Sequence, residues 1–108
     1  MGSAGLPTGT VTFLFTDVVG STMLWEKFPV EMRAAIARHD EIVRDAIVSR
    51  GGPVFASGGD GVAAVFARAD DAIGAAVMAQ SGFLGEVWPV VTPMQVKDGC
   101  ALWGGRRT

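Results

Sequence analysis

Apolar positions along the chain fall into blocks whose spacing changes from two to three and four. In residues 10–18, "TVTFLFTDV", Val11, Phe13 and Phe15 share one face and Leu14 adds apolar character to the other. That pattern predicts a strand buried on both sides. Gly20-Ser21-Thr22 break it, and Ser21 or Thr22 is placed to cap a short helix through about Phe28, with Glu26 in a first-turn position. Pro29 suits the first position of a second helix reaching about Arg50, in which Met32, Ile36, Val43 and Ile47 recur at helical steps. Gly51-Gly52-Pro53 then stop the helix. Two short β-like runs at 53–56 and 62–67 flank a Ser-Gly-Gly-Asp-Gly turn, which predicts a hairpin. Asp70 or Asp71 opens a third helix carrying Ile73, Val77 and Met78 to about Leu84, and Trp88-Pro89-Val90-Val91 predicts the start of a fourth strand. The order β-α-α-β-β-α-β predicts an α/β (α+β) sandwich of ferredoxin-like type. From Lys97 onward, "KDGCALWGGRRT" shows neither period nor caps.

Composition narrows this picture. The 108 residues are 49% hydrophobic and 19% charged, the balance of one packed domain. A formal net charge of −2, with basic residues scattered, gives no electrostatic reason to expect a nucleic-acid partner. Cys100 is the lone cysteine and cannot form an intramolecular disulfide, which favours a reducing compartment. Residues 1–9 read as a flexible leader without the basic and apolar regions of a signal peptide, and no apolar run reaches the roughly 20 residues that span a bilayer. The expected location is cytoplasmic, without membrane insertion.

Two carboxylates carry the candidate chemistry. Asp17 closes the first strand and Asp60 stands at the hairpin tip, so neighbouring strands would project both from one end of the sheet. Paired carboxylates of this kind hold hard cations such as Mg²⁺, and two ions can stabilise the attacking and leaving oxygens of a phosphoryl displacement. The loop Val18-Val19-Gly20-Ser21-Thr22 feeds a helix start whose free N–H groups suit phosphate. Against such roles, His39 is a lone histidine on the apolar side of the long helix and reads as packed and hydrogen-bonded. Asp70 and Asp71 read as partners of a helix dipole, and Trp25, Phe28 and Trp88 as core aromatics. A receiver-like phosphoacceptor domain would need alternating strands and helices, which the tight hairpin at 53–67 argues against.

"FTDVVGST" and "GGDG" followed by "AVF" resemble the two metal-binding motifs of the class III adenylate/guanylate (nucleotidyl) cyclase catalytic domain, and "LPTGTVTFLFTDVVGSTMLWE" is similar to bacterial, actinobacterial-type members. The resemblance covers about residues 6–96 and implies the nucleotidyl cyclase fold. It implies that Asp17 and Asp60 act catalytically through two Mg²⁺ or Mn²⁺ ions, with Val18 lending a backbone carbonyl to a metal. Val19, Gly20, Ser21 and Thr22 would line the triphosphate of ATP or another purine nucleoside triphosphate. The implied reaction is ATP to 3′,5′-cyclic AMP and pyrophosphate, carried out by family members as head-to-tail dimers with shared sites.

The chain departs from that pattern in two places. Ala56 stands four residues before Asp60, where many members have a base-reading lysine, and its methyl cannot hydrogen-bond a purine. The asparagine and arginine that stabilise the transition state are also missing from matching context; the sequence holds no asparagine at all, and Arg106 and Arg107 lack the surrounding motif. The expected organisation is a leader at 1–9, the first part of a cyclase domain at 10–96, incomplete after its fourth strand, and a non-homologous tail at 97–108. Back-translated and read one nucleotide later, suitable synonymous codons for the tail permit R-M-G-V-H-S-G-E-A-D-E, similar to the family's R-M-G-x-H-x-G-E, so a frameshift near Lys97 is expected. Coding DNA that lacks this peptide in the shifted frame would refute it. The corresponding functional expectation is a cyclase-like domain with little or no turnover of its own, or a non-catalytic module that binds nucleotide and metal or pairs with a cyclase chain.

Overall fold

The computed structural model describes residues 7–18, 20–58, 61–86, 88 and 98–107. The chain runs β1 (Gly9–Val18), α1 (Ser21–Lys27), α2 (Pro29–Ser49), β2 (Val54–Gly58), β3 (Gly61–Phe66), α3 (Ala69–Gly85) and β4 (Asp98–Arg107). This is the expected β-α-α-β-β-α-β order. The four strands form one sheet in the order β2-β3-β1-β4, and every neighbouring pair is antiparallel. The ten-residue strand β1 is therefore interior and gains ladder partners on both sides.

One face of the sheet carries the helices. Leu14 of β1 and Ala64 and Phe66 of β3 pack with Val43 and Ile47 of α2 and with Phe83 of α3. A second cluster joins Val18 to Leu24 of α1 and to Met32 and Ala35 of α2, with Trp25 and Phe28 against it. The opposite face is more open: Phe13 is half-buried and Phe15 is 43% exposed. The expectation that β1 is buried on both sides holds at Val11, which is 2% exposed, and is corrected toward the site end, where Phe15 and Asp17 lie exposed.

The α3 expectation is refined in the same way. Its large apolar residues Ile73, Val77 and Met78 lie exposed, while Ala72, Ala75 and Ala79 face inward with Phe83. Small residues let α3 lie close to α2; a β-carbon built on Gly82 would sit 2.7 Å from the Ile42 side chain. His39 is fully buried, stacked on Phe83 with ring centres 5.2 Å apart, and its Nδ1 lies 3.0 Å from the Asp40 carboxylate that accepts its proton.

The largest correction is at the fourth strand. Trp88 is not in a strand; its indole N–H donates to the Phe83 carbonyl at 3.2 Å, and 89–91 lie outside the described residues. Among the described residues the fourth strand, β4, is formed by the tail at 98–107, which pairs with β1 along its whole length from Val18↔Asp98 to Gly9↔Arg107. Gly99, Gly104 and Gly105 mask the alternating pattern, so backbone pairing with β1 specifies this strand more than its own side chains do.

Candidate metal and triphosphate site

The site end of the sheet is where β1 finishes, the β2–β3 hairpin turns, β4 begins and α1 starts. Asp17 stands opposite Gly61 of β3 on one side and Gly99 of β4 on the other. Alternation along β1 puts Leu14, Thr16 and Val18 toward the helices and Asp17 on the open face with Phe13 and Phe15. Its carboxylate is exposed, and among the described residues no hydrogen bond or ion pair engages it.

Asp60 lies outside the described residues, as does Val19. The residues that bracket the hairpin turn, Gly58 and Gly61, pair with each other, and Gly61 is the register partner of Asp17. The described ends of β2 and β3 are therefore tied to the strand end that carries Asp17. Approach between the two strands is tight here: a β-carbon on Gly61 would fall 2.6 Å from the Thr16 carbonyl oxygen and 4.0 Å from Asp17 Oδ1. Glycine is needed at 61 because backbone, not a flexible side chain, occupies that space.

Thr16 secures the same spot from the helix side. Its buried hydroxyl accepts the Val62 N–H at 3.1 Å and donates to the Val62 carbonyl at 3.3 Å. This contact escaped the sequence reading. Its one signal was a hydroxyl-bearing residue at a helix-facing position directly before the carboxylate.

Beyond Val18 the chain turns into α1. Gly20 is the residue before the helix, with φ 70° and ψ 24°, a left-handed conformation that costs a β-carbon-bearing residue about 1 kcal/mol. Neither Ser21 nor Thr22 caps α1 with its side chain, contrary to expectation. Both already lie inside the helix, so the cap position falls to Gly20, and Glu26 falls beyond the first turn. The first intrahelical bond runs from the Leu24 N–H to the Gly20 carbonyl at 3.1 Å. The N–H groups of residues 21–23 precede that bond, and helix geometry leaves them free for an outside acceptor.

Elsewhere the candidates sort clearly. Ala56 is exposed on β2, opposite Ala63, beside a register irregularity between Val54 and Ala56. Asp70 is clamped by Arg68 through bonds of 3.1 and 3.0 Å, which holds its carboxyl below the ordinary carboxylate range, and it accepts the Asp71 N–H at 3.0 Å. That pairing, in the first turn of α3, fits a helix-dipole role for Asp70 and Asp71. Among the described residues no group of three or more His, Cys, Asp or Glu side chains converges as a metal site. The donors present at the β1 end, a carboxylate and the Val18 carbonyl, are hard oxygens of the kind Mg²⁺ and Mn²⁺ accept, so the chemistry of the donor set fits such an ion.

No family model matches the chain. It is 38% identical over 97 residues to the adenylate cyclase of Lachancea kluyveri, covering 89% of this chain and 5% of that protein. An uncharacterized protein of Mycobacterium tuberculosis is 48% identical over 73 residues, covering 66% of this chain and 26% of its own length. The chain thus spans a small part of the curated relatives it matches. Among solved structures, an adenylate cyclase of Trypanosoma brucei in its monomeric state superposes with a TM-score of 0.73 at 32% identity, covering 78% of this chain and 36% of that one. The fold alone is shared with the guanylate cyclase domain of RhGC from Catenaria anguillulae in complex with GTP, at a TM-score of 0.77, 16% identity and coverage of 91% and 57%. By sequence and by fold, this chain is a nucleotidyl cyclase-like domain related to adenylate cyclases.

Proposed function

We propose that this chain supplies the metal- and triphosphate-holding side of a site that converts ATP to 3′,5′-cyclic AMP and pyrophosphate. The observation that carries the reading is Asp17: an exposed carboxylate at the end of the central strand, in register with the glycine that follows Asp60, beside the start of α1. In this reading Asp17 and Asp60 hold two divalent ions, Mg²⁺ or Mn²⁺, with the Val18 carbonyl as a further oxygen donor. When bound, those ions would activate the ribose 3′-hydroxyl and offset charge on the phosphates. The chain's own share is positional. Gly20 turns the backbone so that the N–H groups of Ser21 and Thr22 present themselves to the triphosphate, with Val19 in the same loop. The 3′-oxygen then attacks the α-phosphorus, loses its proton, and the bond to pyrophosphate breaks.

Ala56 offers no hydrogen bond to a purine, so this chain's own side chain at 56 does not choose between ATP and GTP. The mycobacterial relative supports a bacterial, actinobacterial-type origin, and the lone cysteine supports a cytoplasmic location. No helix among the described residues is long and apolar enough to cross a membrane.

A second reading, a non-catalytic module that binds nucleotide and metal or pairs with another cyclase chain, is favoured by one observation. The open sheet face carries an aromatic group, with Phe13 against Phe15 at 6.2 Å and against Phe55 at 5.9 Å, which suits pairing with another chain. A Mn²⁺-dependent cyclase assay separates the two. The chain alone is expected to give little or no cyclic AMP, and turnover abolished by Asp17→Ala would establish full catalysis instead. Mixing with a full-length homologue tests pairing: an unchanged partner activity, together with no heat on titration with ATP and Mn²⁺, would sink the second reading.

A further inference from the structure

We propose that Thr16 is a positioning residue for the metal-holding end of β1 at Asp17, acting through Val62; the inference rests on the metal reading given above. Thr16 is fully surrounded in the sheet, on the helix-facing side, one residue before Asp17. Its hydroxyl uses both its donor and its acceptor capacity on a single residue, taking the Val62 N–H at 3.1 Å and giving its proton to the Val62 carbonyl at 3.3 Å. Val62 is the residue after Gly61, and Gly61 is the register partner of Asp17. One side chain therefore clamps β3 to β1 at the pair next to the site.

The clamp matters because ordinary ladder pairing is weakly specified at this point. Gly58, Gly59 and Gly61 surround the turn, and glycine-rich strand ends tolerate slippage of register. A slip of one residue would turn every side chain of β3 to the other face relative to Asp17. The Thr16 hydroxyl meets the Val62 N–H and C=O only while Val62 turns both toward β1; a one-residue slip turns them away and leaves a buried hydroxyl unpaired. Gly61 sharpens this choice, because its α-carbon lies too close to the Thr16 carbonyl to admit a side chain.

The test compares Thr16→Val, which keeps shape and β-branching without the hydroxyl, with Thr16→Ser, which keeps the hydroxyl. Mn²⁺ affinity is measured by calorimetry on the full chain, far below each variant's melting temperature. Thr16→Val is expected to bind Mn²⁺ about tenfold more weakly or worse, the scale seen when groups behind metal ligands are removed. Thr16→Ser is expected to keep wild-type affinity, a rescue that a bulk packing role would not give. Equal Mn²⁺ affinity in a folded Thr16→Val overturns the inference and leaves the metal reading intact. Should Thr16→Val lose its cooperative melt, Thr16→Ser decides: wild-type affinity upholds the clamp, and a tenfold loss overturns it. Absence of Asp17-dependent Mn²⁺ binding in the wild-type chain overturns the metal reading and this inference together.

Discussion

Asp17 owes its availability to its place on β1: it follows a buried threonine, precedes a buried valine, and projects to the open face with no cation among the described residues to neutralise it. A carboxylate in that position contributes little to folding, so Asp17→Ala should leave the melting curve within about 0.5 kcal/mol of wild type. Gly20 differs, because its φ of 70° is left-handed and a β-carbon there is strained. Gly20→Ala should cost about 1 kcal/mol of stability by denaturant titration, and weaken ATP binding as the loop relaxes toward an ordinary φ. At Gly61 the obstacle is the Thr16 carbonyl, 2.6 Å from where a β-carbon would lie. Gly61→Ala should push β3 away from β1 and weaken Mn²⁺ binding more than it lowers the melting temperature. These residues were partly legible from the chain alone. Asp17, Asp60 and the glycine loop stood out by type and spacing. Thr16 did not, because a single threonine in a β-rich run looks like strand propensity until its partner Val62 is known.

Elements were read best where local chemistry and packing agree. The start of α2 at Pro29, its stop before Gly51, and the β2–β3 hairpin follow from residues whose backbone preferences leave few alternatives. α3 shows the limit of periodicity. Its alanines and Phe83 face inward while Ile73, Val77 and Met78 face outward, a choice made by the distance between helices and invisible in either helix alone. β4 shows the same limit in a sheet: three glycines remove its pattern, and β1 supplies the ladder that defines it. The α2 core face should carry much of the stability. Ile47 is fully buried between the sheet and α3, so Ile47→Ala should lower stability by about 2–5 kcal/mol in urea titration, with Mn²⁺ affinity unchanged while the chain stays folded.

At the scale of the molecule, the sheet separates two roles. Its helix-covered face holds the chain together; its open face carries Asp17 and the aromatic group of Phe13, Phe15 and Phe55. If that face pairs two chains, Phe15→Glu should lower the sedimentation mass from dimer to monomer without unfolding the domain, because Phe15 is only partly covered in one chain. The central claim is that the β1 end holds divalent metal with a nucleoside triphosphate, and titration of the chain with ATP in the presence of Mn²⁺ tests it most directly. The expected result is saturable heat for the wild type, lost in both Asp17→Ala and Asp60→Ala while their melting curves stay in place. Undiminished heat in folded Asp17→Ala, or none in the wild type, would contradict it.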